Sequence, residues 1–115
     1  MAYYNRGNAY AGMGQLDRAI RSFDEAIRLD PQFALAVVGR GAAYGMQGKP
    51  QKAILDLDQA LRLNPRLAIA YQNRAVAHAT LGNDAAAQQD IDRAVQLGID
   101  RGLLERAIKE IKEQR

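Results

Sequence analysis

The chain has 115 residues, 48% of them hydrophobic and 25% charged, and its 16 basic and 13 acidic side chains leave a net charge of +3. That length fits one domain able to bury a core, and so mild a charge sets no demand for nucleic acid or an anionic membrane. With no cysteine the chain has no disulfide and no thiolate metal site, and no apolar run approaches the roughly 20 residues that cross a bilayer.

Met1-Ala2-Tyr3-Tyr4-Asn5 lacks the charged start and apolar stretch of a signal peptide. Helical patterning is already under way there, so a piece of a longer chain is expected, with any targeting segment outside it. The residues specify no compartment; a soluble, cytoplasmic setting is favoured.

From Ala2 to Met13 small and apolar residues recur at helical spacing, and Gly14-Gln15 breaks the pattern. From Leu16 to Leu29 the stripe Leu16, Ala19, Ile20, Phe23, Ala26, Ile27 predicts a second, amphipathic helix. Asp30-Pro31 ends it, because proline disfavours helical geometry in the preceding residue. The plan then repeats. Gly48-Lys49 is the next turn, with Pro50 in a helix's first turn, where its missing N–H costs nothing. Asn64-Pro65 closes that unit. Gly82-Asn83 is the third turn, with Asn83 predicted as an N-cap. The third unit ends on Gly98-Ile99 instead, where Gly98 suits a left-handed cap.

The period is 34 residues: Gly14, Gly48, Gly82; Ala19, Ala53, Ala87; Ala26, Ala60, Ala94; Arg6, Arg40, Arg74. Small residues at Gly7, Gly41 and Ala75 on the first helices, and at Ala19, Ala53 and Ala87 on the second, predict close helix approach. Tyr10, Tyr44, Phe23, Leu57 and Ile91 then fill the space beside them.

These units resemble the tetratricopeptide repeat family over about residues 1–101. The resemblance rests on Tyr3 to Tyr10, Gly14, Ala19-Ile20, Phe23, Ala26 and Asp30-Pro31, with their counterparts in the later units. It implies an all-α solenoid: three antiparallel helix pairs, about 1–33, 34–67 and 68–101, in a single domain. Val37, His78 and Ile99 depart from the pattern at an aromatic, a tyrosine and the closing proline. Residues 102–115 belong to no repeat. Leu103, Leu104, Ala107, Ile108 and Ile111 form an apolar stripe opposite charged residues, with i, i+4 pairs Glu105–Lys109 and Arg106–Glu110. This predicts a helix that caps the array; a partner-binding or dimerising helix is the alternative.

In the family, first helices line a concave groove. By that resemblance the groove residues here are Tyr4, Asn5 and Asn8, then Leu35, Val38, Ala42 and Met46, then Ile69, Gln72, Asn73 and Val76, all uncharged. Family members that clamp acidic C-terminal peptides use Lys, Arg and Asn here; Asn8 alone matches, and Tyr4, Gly39, Ile69 and Asn73 stand at the other positions. A protein or peptide partner with an apolar segment or amphipathic helix is therefore expected. Tyr4 reads either as an anchor for it or as packing near the N-terminus. Homo-oligomerisation through the groove or the last helix, and less so single-stranded RNA binding, are the alternatives; a neutral groove disfavours phosphate contacts.

Arg40 and Arg74 are expected to pair with Asp56 and Asp90 of their own units. Arg6 faces Ser22 at that place, which makes it the arginine most available to a ligand. Catalysis lacks equipment: one Ser, one Thr, one His and no Cys give no nucleophile with a positioned base. His78 falls where Tyr10 and Tyr44 fall and reads as packing. No enzyme activity, metal or cofactor is expected.

Overall fold

The turn residues act first. In a computed structural model describing residues 1–115, seven helices follow one another without a strand: α1 (Ala2–Gly12), α2 (Leu16–Leu29), α3 (Ala34–Met46), α4 (Pro50–Leu63), α5 (Ala68–Thr80), α6 (Asp84–Gln96) and α7 (Arg101–Gln114). α1, α3 and α5 each end at a glycine with positive φ: Gly14 at 75°, Gly48 at 76° and Gly82 at 82°. The next amide then donates back to the carbonyl of Tyr10, Tyr44 or His78 at 2.8–2.9 Å, the bond of a Schellman cap. Gly98, at 112°, repeats the device at the end of α6, where the Ile99 amide donates to the Ala94 carbonyl. That is why the third unit needs no closing proline.

α2 and α4 end otherwise. Asp30 and Asn64 take extended backbone, with φ of −144° and −149°, ahead of their prolines. Their Oδ1 atoms accept from the amides of Gln32 and Arg66 at 3.0 Å, closing Asx turns. Asn83 precedes α6 as expected but makes no capping bond; its Nδ2 lies 3.4 Å from His78 Nδ1. Asp100 does cap α7, accepting from the Leu103 amide at 2.9 Å.

α1, α3, α5 and α7 touch in series, whereas α2, α4 and α6 do not touch one another. A row of helices that is tight on one side and splayed on the other curves, with the first helices on the inside. The core is correspondingly strung out in three clusters along the array, centred on Phe23, on Leu57 with Val37, and on Ile91 with Leu104. Such an array holds together by neighbour contacts. The small residues permit the close approach: a Cβ on Gly41 would lie 3.1 Å from the Asp56 Cβ and 3.3 Å from the Ala53 carbonyl oxygen.

Polar bonds lock successive pairs. Arg40 donates from Nε and Nη2 to Asp56 of α4 at 3.0 and 2.8 Å, and from Nη1 to Asp24 of α2 at 2.9 Å. Arg74 repeats this with Asp90 and Asp58. Each arginine thus ties its own unit together and ties it to the preceding one. The Asp56 and Asp90 hydrogen bonds, the largest influence in each case, hold both guanidinium pKa values above their ordinary range against the opposing effect of burial. Both arginines therefore stay charged at any pH the fold meets. Asp90 retains 6% side-chain exposure and Arg74 23%. Asp90→Ala is expected to lower unfolding free energy by about 2 kcal/mol, since a half-buried guanidinium loses a bidentate partner and keeps Asp58. Urea unfolding checks this; an unchanged midpoint would contradict it.

α7 buries Leu104 and Ile108 among Ala75, Ala79, Ala87, Ile91 and Ala94. Of the pair before it, α7 meets α5 more than α6, whereas α3 and α5 meet the second helix of the pair before them, α2 and α4, more than the first. Arg115 fastens its end, donating to the Ala79 carbonyl at 2.8 Å and pairing with Asp84. The expected pairs Glu105–Lys109 and Arg106–Glu110 do not form; Arg101 takes Glu105 and Asp92 instead, at 3.1 and 3.2 Å. No helix is long and apolar enough to cross a membrane.

Candidate functional site

Where α3 and α5 diverge, a cavity of about 270 Å³ opens on the inner face. Gly41, Ala42, Gly45 and Met46 form the α3 wall, Asn73, Val76 and Thr80 the α5 wall, and Ala53 and Leu57 of α4 the floor. The space exists because α3 presents glycine and alanine where larger side chains would fill it. A second cavity, of about 370 Å³, lies between α5 and α7, lined by Gln72, Val76, Ile99, Leu103, Leu104 and Ala107. Val76 borders both, so the two form one trough across α3, α5 and α7.

The trough is nearly neutral. Its one charged side chain, Asp100, is engaged by the Leu103 amide at the head of α7. Thr80 Oγ1 donates to the Val76 carbonyl at 2.9 Å and so is satisfied within the helix. The side-chain amides of Gln72 and Asn73 make no hydrogen bond to protein, which leaves their donors and acceptors free at the cavity walls.

Of the residues expected to line a groove, Ala42, Met46, Asn73 and Val76 border the first cavity and Gln72 and Val76 the second. Leu35 and Ile69 lie at the start of α3 and α5, 41% and 44% exposed. Asn5 and Asn8 are exposed on α1, outside either cavity. Tyr4 is half-buried, its ring 5.0 Å from Phe33 and 6.1 Å from Phe23, so it packs within the first core cluster. Val38 departs furthest from the expectation. It is 5% exposed and packs with Leu57, Leu61 and Ala70, because α4 of its own pair and α5 of the next together cover its side of α3.

Sequence reasoning missed the α7 wall, Leu103 and Ala107. A signal existed: Leu35, Ile69 and Leu103 stand one period apart, and all three are exposed apolar residues at the start of inner helices. No cluster of three or more His, Cys, Asp or Glu side chains is arranged to hold a metal. Ser22, the single serine, is buried beside arginines and bonds to no base, the nearby Glu25 being held by Arg28, and His78 faces Asn83.

Comparison with known proteins agrees with this geometry. No curated sequence matches the chain. Among solved structures, the first TPR of Spaghetti (RPAP3) bound to HSP90 peptide SRMEEVD superposes with a TM-score of 0.88 at 25% identity, over 98% of this chain and 90% of that one. The second TPR of Spaghetti, bound to the same peptide, gives 0.81 at 30% identity, over 84% and 89%. The second TPR domain of human RPAP3 in complex with HSP70 peptide SGPTIEEVD gives 0.83 at 28% identity, over 96% and 92%. Tetratricopeptide repeat models match residues 1–33, 34–67 and 68–97. With three helix pairs at one period, each matched by the repeat's own pattern, the chain belongs to the tetratricopeptide repeat family.

Proposed function

We propose that this protein is an interaction module that receives an apolar peptide segment, or the apolar face of a partner helix, in the trough across α3, α5 and α7. The carrying observation is the pair of cavities joined at Val76, walled by Ala42, Met46, Leu103 and Ala107, with the unbonded amides of Gln72 and Asn73 between them. Apolar walls supply area to bury, and the two amides can bond an extended backbone. Leu35 and Ile69 extend the apolar surface along the same helices. The protein is on this reading a binding scaffold without catalysis, since neither Ser22 nor His78 has the partners of a nucleophile or base.

The related domains hold peptides ending in acidic residues, SRMEEVD and SGPTIEEVD. Neither cavity wall here carries a lysine or arginine. The favoured guest is therefore apolar where theirs is acidic. Peptides selected from a random display library on the wild-type protein are expected to carry two or more large apolar residues. Val76→Glu combined with Ala42→Glu should weaken them about tenfold or more, measured by fluorescence anisotropy. The peptide SRMEEVD should not displace them. Binding that survives both glutamates would rule out the trough, and displacement by SRMEEVD would rule out its apolar preference. Val38→Glu is unsuitable for this purpose, because that side chain belongs to the core.

A further inference from the structure

The ion-pair ladder has one incomplete rung. Arg40 and Arg74 each hold two carboxylates, one from their own unit (Asp56, Asp90) and one from the preceding second helix (Asp24, Asp58). One period earlier stands Arg6, exposed, with no hydrogen bond and no carboxylate partner. The place of Asp56 and Asp90 is taken by Ser22, which is 6% exposed. Around this gap lies a cavity of about 260 Å³ lined by Tyr3, Arg6, Tyr10, Arg18, Arg21, Ser22 and Glu25.

Three guanidiniums therefore converge on a space where the other two units keep a built-in carboxylate. Arg6 lies over the Tyr3 ring at 5.2 Å and Arg18 over the Tyr10 ring at 5.8 Å. Those contacts steady the planes and leave N–H edges to donate. Arg18 spends one donor on Gln15 Oε1 at 3.0 Å, and Arg21 spends none. The single carboxylate at the rim, Glu25, is already engaged by Arg28 at 2.8 and 3.1 Å. Positive charge exceeds negative at the cavity, and each donor there suits an oxyanion.

We propose that this cavity is an oxyanion-binding site, taking a phosphate or carboxylate group in the position that Asp56 and Asp90 occupy in the later units. Arg6 is the central ligand, Arg18 and Arg21 flank it, and the Ser22 hydroxyl donates from the floor. The site lies on the α1–α2 pair, apart from the trough, and does not depend on what the trough binds.

The test uses the sequence's own answer. Ser22→Asp installs the carboxylate found at Asp56 and Asp90, so it should pair with Arg6, raise the melting temperature, and close the site. Wild-type protein, Ser22→Asp and Arg6→Gln are titrated with inorganic phosphate and with a tetraglutamate peptide, against chloride at matched ionic strength. Tyr3 and Tyr10 line the cavity, so tyrosine fluorescence reports occupancy alongside the melting temperature. At least one probe should bind the wild type saturably and lose about tenfold or more affinity in both variants. Phosphate binding identifies a free anion as sufficient; tetraglutamate alone identifies an acidic side chain. Failure of both probes to exceed chloride, or Ser22→Asp binding as tightly as wild type, would overturn the proposal.

Discussion

Phe23→Ala is expected to lower unfolding free energy by about 4 kcal/mol, and the melting temperature by on the order of 15 °C. Phe23 is 1% exposed. Its ring lies between two glycines of neighbouring inner helices: a Cβ on Gly7 would stand 2.7 Å from it, and one on Gly39 2.6 Å. The two glycines have no side chain to move into the void, so the full cost of a buried aromatic truncation is expected. The same geometry makes the glycines interdependent with the ring. At the positions of Phe23 and Gly39 one period later stand Leu57 and Asn73, a shorter residue opposite a longer one. Gly39→Ala should therefore destabilise the protein by about 1–2 kcal/mol with Phe23 present, and by less in a Phe23→Leu background. A double-mutant cycle by urea unfolding measures this coupling. Gly39→Ala without cost in the wild type would mean that the ring swings clear, and the sandwich would not be the constraint described.

Leu104→Asp should cost about 3 kcal/mol or detach α7 altogether. Leu104 is 4% exposed among Ala75, Ala87 and Ile91, where an ionised carboxylate finds no partner. Circular dichroism will distinguish a general loss of stability from the undocking of one 14-residue helix. Leu103→Asp, one residue away and 64% exposed, is the contrast: it should change stability by no more than about 0.5 kcal/mol. An unchanged melt for Leu104→Asp would remove α7 from the fold and leave it only a role in contacting partners. Since Leu103 lines the second cavity, the pair of variants also separates support of the array from contact with a guest.

The helices, their turns and the order of the units were legible in the sequence because they depend on neighbours along the chain. Positive φ at Gly14, Gly48, Gly82 and Gly98, the prolines after Asp30 and Asn64, and the apolar stripes each act within a few residues. The pairs Arg40–Asp56 and Arg74–Asp90 were legible through the period alone. Which way each inner helix faces was not. Tyr4, Val38 and Gln72 hold one register position, yet they end respectively in the first core cluster, in the second core cluster and on a cavity wall. The second carboxylate on each arginine, the tilt of α7 towards α5, and the apolar wall it adds to the trough were likewise decided only on stacking. Register along a helix follows from the chain itself, but burial is settled by the neighbouring helix, and that neighbour's angle depends on side chains from three or more elements packed together.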